Sequence, residues 1–133
     1  MTIFEKIIKG EIPAYKIYED DVVYSFLDAK PHNIGHILVI PKDPYPILSD
    51  IPDEILQHLI VVVKKIAINT QKVLNADGYH ILMNNGEKAD QTVPHAHFHI
   101  VPRSDGDNNL YTKIIDLGLE VSDFKSLQEK LSL

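Results

Sequence analysis

The chain has 133 residues and a mass of 15.1 kDa, and its hydrophobic (44%) and charged (24%) contents indicate one folded domain rather than a disordered protein. It contains no cysteine, which excludes disulfides, thiolate catalysis and cysteine-ligated zinc. A net charge of -6 with a single arginine, Arg103, argues against a protein that binds a nucleic-acid backbone. No apolar run approaches the ~20 residues that span a bilayer, and the N-terminal stretch has no signal-peptide apolar region, so we expect a cytoplasmic protein.

The first third of the chain predicts a short helix followed by three strands. Thr2 and Glu5 have the spacing of a capping box, which begins the helix. Residues 14–19 and 22–28 are rich in β-branched and aromatic side chains and predict a hairpin. Residues 35–41 form a compact apolar run that is typical of a central strand.

The rest of the chain predicts one long helix, two more strands and a final short helix. Apolar residues recur at helical spacing after Pro52, and we expect Gly78 to end that helix. Residues 79–84 and 95–101 predict strands, and residues 121–131 predict the last helix. The sum is an α+β domain with a mostly antiparallel sheet of about five strands, one long helix and short terminal helices.

The segment PHAHFHIVPR carries the strongest chemical signal. His95, His97 and His99 alternate with apolar residues, so on a strand their imidazoles would face the same side. Independent placement of the histidines predicts only about 0.02 such triplets, so chance is a weak explanation. The triplet alone fits either a zinc or iron site or a nucleotidyl-transfer site in which one imidazole attacks phosphorus.

The neighbouring residues favour phosphate over metal. Glu87 and Asp90 are the nearby carboxylates that could support a metal-bound histidine, and neither lies on a predicted strand. The loop before the triplet instead supplies neutral donors and flexible backbone: Asn84, Asn85, Gly86, Gln91 and Thr92. Arg103 follows the predicted strand and adds the only guanidinium of the chain.

HAHFHIV resembles the pattern of the histidine triad (HIT) proteins, which are nucleotide hydrolases and transferases. TIFEKIIKGEIPAYKIYEDD, FLDAKPHNIGHILVIPK and NNGEKADQTVPHAHFHIVPR resemble three blocks of that family in the family's order. The resemblance is strongest to the bacterial-type branch and covers residues 2–103. It implies a HIT-like domain over residues 1–103, a C-terminal extension over residues 104–133 that packs on the same domain, and a homodimer.

The resemblance also implies a role for each matching residue. His97 is then the nucleophile. His95 and His99 contact the phosphate and help to orient the nucleophile, and His36 is a fourth histidine close to the active site. Asp28 accepts hydrogen bonds from the ribose hydroxyls. The other nucleotide-binding candidates are Phe4, Ile7, Ile12 and Phe26 at the base, and Asn84, Asp90, Gln91, Thr92 and Val93 around the α-phosphate; Thr92 also lies near the leaving group.

These expectations describe a hydrolase that cleaves at the α-phosphate of purine nucleoside 5′-phosphoramidates or related nucleotides through a covalent nucleotidyl-histidine. We expect no cofactor, no nucleic-acid partner and no membrane partner. Thr2 and Glu5 stand where some bacterial members of the family have zinc-binding cysteines, so we expect no structural metal. A dinucleoside polyphosphate hydrolase and a nucleotide-binding regulator with incidental turnover are alternatives, and a metal-dependent enzyme is the least favoured.

Overall fold

The structure is a computed structural model that describes residues 1–107 and 118–131. The described residues form these helices and strands: α1 (Ile3–Ile8), β1 (Lys16–Glu19), β2 (Val23–Leu27), β3 (Ile37–Pro41), α2 (Asp53–Leu74), β4 (Gly78–Leu82), β5 (Phe98–Arg103) and α3 (Val121–Leu131). Short 3-10 turns occur at Leu48–Asp50 and Glu87–Ala89. None of the helices in these two ranges is long and apolar enough to cross a membrane.

The five strands form one antiparallel sheet in the order β1-β2-β3-β5-β4. β3 lies in the middle of the sheet, as its apolar composition predicts, and β1 and β4 lie at the two edges. This arrangement confirms the predicted α+β fold with a five-stranded antiparallel sheet, one long helix and short terminal helices.

Helices cover the two faces of the sheet. Each strand contributes side chains to both cores, because successive side chains of a strand point to opposite faces. Ile37 and Val39 of β3 pack with the apolar face of α2 in one core. Leu38 and Ile40, the alternate residues, pack on the other face with residues of α1. The histidine-containing segment contributes to both faces, which explains how it is held in place.

Two boundaries differ from the sequence prediction. α2 ends at Asn75, which takes the left-handed conformation (φ 51°, ψ 42°), and Gly78 is instead the first residue of β4. Asparagine tolerates that conformation better than most residues, so a glycine was not required. β5 begins at Phe98 rather than at His95, so only the last histidine of the triplet lies within the strand.

The C-terminal extension is described in part. Residues 108–117 and 132–133 lie outside the described residues, while the predicted last helix is present as α3. The side chains from residue 118 to residue 126 are exposed. The packing of residues 104–133 on the domain stays a prediction.

Candidate active site

Four histidines gather on the face of the sheet that carries α1. His99 of β5 pairs with Leu38 of β3. His36 immediately precedes β3 and lies two residues before Leu38, so it faces the same side of the sheet. His95 and His97 lie in the extended segment before β5, while the intervening Ala96 packs into the core beneath α2. The predicted alternation therefore holds, although the strand itself starts later than expected.

The His97 ring has one defined hydrogen-bonding state. Its Nδ1 lies 2.7 Å from the carbonyl oxygen of His95, and a carbonyl can only accept, so Nδ1 carries the proton. In the neutral ring Nε2 then holds the lone pair that a nucleophile needs. The edge of Phe4 packs against this ring at 5.1 Å between centroids and an angle of 89°, which restricts its rotation.

His36 and His99 form a directional chain of hydrogen bonds. The backbone N–H of His32 donates to Nδ1 of His36 at 3.0 Å, so Nε2 of His36 carries the proton and faces Nδ1 of His99 at 2.9 Å. Nε2 of His36 also lies 3.5 Å from a carboxylate oxygen of Asp28. His99 must then carry its proton on Nε2, and that buried nitrogen has no hydrogen-bond partner within the described ranges.

A buried N–H without a partner is energetically unfavourable, so this position favours the binding of an acceptor. The ring of His99 lies beside that of His97, since the two ring centroids are 4.9 Å apart. A phosphate oxygen between them would accept this proton.

His95 is held from both of its ring nitrogens. Nε2 donates to the carbonyl oxygen of Pro41 at 2.7 Å, and Nδ1 lies 3.0 Å from the hydroxyl of Thr2 at the start of α1. The ring is fully buried, with 0% of its surface exposed. Neither nitrogen is therefore available for a phosphate contact, and His95 acts on the site through its backbone carbonyl and its packing.

Burial keeps all four imidazoles neutral near pH 7. Loss of solvent lowers the pKa of His36, His95 and His97, and it lowers the pKa of His99 to about 4. The neighbouring His97 and His36 contribute to this lowered pKa of His99, whereas Asp28 opposes the shift. The site therefore offers neutral imidazoles, with lone pairs and N–H donors, rather than imidazolium cations.

The loop that precedes the triplet is fastened to the segment after β3 by the side chain of Gln91. Its Oε1 accepts from the N–H of Gly86 at 2.7 Å, and its Nε2 donates to the carbonyls of Pro46 (2.6 Å) and Val93 (3.0 Å). These bonds use both amide protons and one oxygen lone pair. The Gln91 side chain therefore holds the loop, which is a different task from the phosphate contact expected from the sequence.

The other candidates of this loop have different environments. Thr92 is exposed and lines two cavities of about 570 Å³ and 660 Å³, the first against α1 and the second against Gln91. Asp90 is exposed and ends the 3-10 turn in the left-handed conformation. Asn84 is half-buried just beyond β4, and Val93 packs against the core on the α1 side.

The expected base-binding residues form one apolar cluster beside His97. Phe4, Ile7 and Phe26 are buried together, with Ile12 half-buried against them. Phe4 contacts Phe26 at 5.4 Å between ring centroids and also contacts His97. This cluster connects the wall of the candidate base cleft directly to the triad.

Arg103 does not lie with the phosphate candidates. It is the last residue of β5, at the opposite end of the strand from the triad, where it pairs with Gly78 and its Nε lies 3.7 Å from Asp107. Four residue steps of extended strand, roughly 13 Å, separate its backbone from that of His99, so the backbone of Arg103 does not lie beside the triad. Sequence reasoning also missed Thr2 and the N–H of His32, whose contacts have no local signature.

The ligand atoms of Asp28, His36 and His99 lie within 4.8 Å of one another, close enough to surround a metal ion. The hydrogen bonds do not fit that use. A metal on Nε2 of His36 would move the ring proton to Nδ1, which already accepts from the N–H of His32. The donor set favours hydrogen bonding over metal coordination.

Comparison with known proteins places this geometry in a family. The HIT domain matches residues 9–106. The chain is 50% identical over 110 residues to the HIT-like protein MJ0866 of Methanocaldococcus jannaschii, covering 83% of this chain and 84% of that protein. It is 42% identical over 125 residues to adenosine 5′-monophosphoramidase HNT1 of Saccharomyces cerevisiae, covering 94% of this chain and 75% of that protein.

A solved structure gives the same result. The histidine triad nucleotide-binding protein of Candida albicans superposes with a TM-score of 0.83 at 39% identity, over 98% of this chain and 94% of that one. The sequence match, the shared fold and the arrangement of the histidines agree, and the chain belongs to the HIT family.

Proposed function

We propose that the protein is a hydrolase of nucleotide derivatives that cleaves at the α-phosphate and releases a nucleoside monophosphate. The observation that carries this proposal is the pairing of His97 with His99. The Nε2 lone pair of His97 is fixed by the bond from Nδ1 to the His95 carbonyl, and in the adjacent ring Nε2–H of His99 is buried without a partner among the described residues. A nucleophile next to an unused donor suits a reaction in which negative charge develops on phosphate oxygens.

In the proposed mechanism, Nε2 of His97 attacks the α-phosphorus. A P–N bond forms, the bond to the leaving group breaks, and the leaving group takes a proton from solvent. Water then attacks the phosphorus of the nucleotidyl-histidine. The P–N bond breaks with its electron pair returning to Nε2, the water gives up a proton to solvent, and the monophosphate is freed. His99 donates to a phosphate oxygen throughout, and Asn84 and the backbone near Thr92 supply further donors.

We propose that Asp28 binds the ribose and that Phe4, Ile7, Ile12 and Phe26 contact a purine base. Asp28 is half-buried at the end of β2 and lies 3.5 Å from Nε2 of His36. A carboxylate in this place can accept from both hydroxyls of a vicinal diol. Thr92 borders the cavity of about 570 Å³ that α1 also lines, which offers room for a leaving group.

Phosphoramidates are the proposed substrate group, and the name of the yeast relative supports this choice. The test compares kcat/KM for an adenosine 5′-phosphoramidate and a diadenosine polyphosphate with purified protein in the presence of a chelator. We expect faster cleavage of the phosphoramidate and no effect of the chelator. Faster cleavage of the dinucleotide would make dinucleoside polyphosphates, rather than phosphoramidates, the substrate group. Loss of all turnover with chelator would support a metalloenzyme. Tight nucleotide binding without turnover would support a regulator.

We also propose a homodimer formed through α2 and the β4 edge. Val61 and Ile68 are exposed two turns apart on α2, and Tyr79 and Ile81 are exposed on β4. Ile81 pairs with Ile100, whose side chain lies on the α2 side of the sheet, so these apolar groups share one side of the molecule. Light scattering should give a dimer for the wild type and a monomer for Val61→Glu, with Ile17→Glu at the opposite edge as the matched control.

All residues assigned to the site lie between Thr2 and His99. We therefore propose that residues 1–103 contain the complete nucleotide site and that residues 104–133 are an extension of the same domain. The cytoplasmic location stays a prediction.

A further inference from the structure

We propose that Thr2 is a positioning residue for the nucleophile: its hydroxyl fixes the ring of His95, and the His95 carbonyl in turn orients His97. The inference rests on the proposed function, because it concerns the residue assigned as nucleophile. It concerns a contact between residues 93 positions apart in the chain.

The first step is the state of the Thr2 hydroxyl. Its oxygen accepts from the N–H of Glu5 at 3.1 Å, while a carboxylate oxygen of Glu5 accepts from the N–H of Thr2 at 2.9 Å. These two bonds are the two halves of a capping box, and together they fix the rotamer of Thr2. The hydroxyl proton is left to point at Nδ1 of His95, 3.0 Å away.

The second step is the state of His95. The carbonyl of Pro41 accepts from Nε2, so Nδ1 of the neutral ring must itself accept a hydrogen bond. The hydroxyl of Thr2 is the donor that the structure places there. Without it, a nitrogen of a fully buried ring would lose its partner, and the other tautomer would turn a lone pair toward the Pro41 carbonyl.

The third step leads from His95 to His97. The carbonyl of His95 accepts from Nδ1 of His97 at 2.7 Å, so a rotation of residue 95 moves the acceptor that defines the nucleophilic tautomer. Phe4 of α1 packs edge-on against both rings, at 5.6 Å from His95 and 5.1 Å from His97. The helix that Thr2 caps therefore contacts both histidines, and the hydroxyl connects its first turn to them.

The test separates helix capping from histidine positioning. Thr2→Asp keeps an N-cap acceptor for the N–H of Glu5, but its carboxylate cannot donate to Nδ1 of His95. Thr2→Ser keeps both functions. We expect Thr2→Asp to lower kcat by about tenfold or more with KM changed by less than about twofold, and Thr2→Ser to restore kcat to within about twofold of the wild type.

A second readout does not depend on turnover. ¹⁵N NMR of the histidine side chains should find the His95 proton on Nε2 in the wild type and in Thr2→Ser. In Thr2→Asp it should find protons on both nitrogens, because the new carboxylate accepts from Nδ1. Thermal unfolding of each variant verifies that it is folded.

Either of two results would overturn the inference: wild-type kcat in a folded Thr2→Asp variant, or a wild-type His95 that carries its proton on Nδ1. The second result decides the matter even if Thr2→Asp does not fold. If no form of the protein turned over nucleotides, the proposed function would fail, while the NMR measurement would still test the contact between Thr2 and His95.

Discussion

Acidification should destabilise the protein through His99. The unfolded chain binds a proton on this residue with a pKa of about 6.5, whereas burial and the nearby His97 and His36 lower the pKa in the folded protein to about 4. Between these values the unfolded state binds more protons than the folded state, so the free energy of unfolding decreases as the pH falls. From pH 7 to pH 5 the two pKa values give a loss of about 2 kcal/mol from His99 alone.

The assay is urea unfolding of the wild type and of His99→Gln at pH 7 and pH 5. The lowered pKa values of His36, His95 and His97 act in the same direction, so the wild type should lose more than the contribution of His99. The difference between the two proteins isolates the contribution of His99. Between pH 7 and pH 5 we expect the free energy of unfolding of His99→Gln to fall by about 2 kcal/mol less than that of the wild type. Equal losses in both proteins, with equal denaturant slopes, would refute the reasoning.

Four further predictions test the site and its supports. His97→Ala should lower kcat by several orders of magnitude while nucleotide affinity by calorimetry persists, and rapid-quench mass spectrometry of the wild type should find the adduct on this residue alone. Asp28→Ala should raise KM for a ribonucleotide more than for its 2′-deoxy analogue, since charged hydrogen bonds contribute about 1.5–3 kcal/mol; equal losses would exclude a contact with the 2′-hydroxyl. Gln91→Glu removes the donor to two carbonyls, so it should lower the free energy of unfolding by about 2 kcal/mol in a urea titration and lower kcat. Gly35→Ala forces an alanine into the left-handed region at φ +83° and places its methyl against Leu74 Cδ1, so it should lower the midpoint of thermal unfolding; an unchanged midpoint would contradict this strain.

The sequence predicts the parts of this fold that local patterns determine. The capping box of Thr2 and Glu5, the hairpin around Asp20 and the central position of β3 follow from short-range chemistry and hydrophobic spacing. The end of α2 was predicted less well, because Asn75 takes the left-handed conformation that was expected to need a glycine. Such boundaries depend on small differences in backbone free energy that tertiary packing overrides.

The site is predictable in identity but not in hydrogen-bonding detail. Alternation brings His97 and His99 to one face, as expected, yet nothing in the sequence indicates that the N–H of His32 would set the tautomer of His36. The task of Gln91 was also hidden, because its partner Pro46 lies 45 positions earlier in the chain. Contacts over such sequence distances depend on the packing of loops, which has no periodic signal in the sequence.

The burial that lowers stability in acid also suits His97 to its proposed role as nucleophile. A protonated imidazole has no lone pair, so a nucleophile at neutral pH must have a pKa below the ambient value, and the packing of Phe4 and the sheet around His97 lowers it. The same packing keeps Nε2 of His99 from solvent and leaves it without a partner in the described part of the chain, so it is a donor suited to a bound phosphate. A bound phosphate would favour the charged forms of His97 and His99 and raise their pKa values. Added nucleotide should therefore raise the free energy of unfolding of the wild type at pH 5 by more than its dissociation constant at pH 7 predicts.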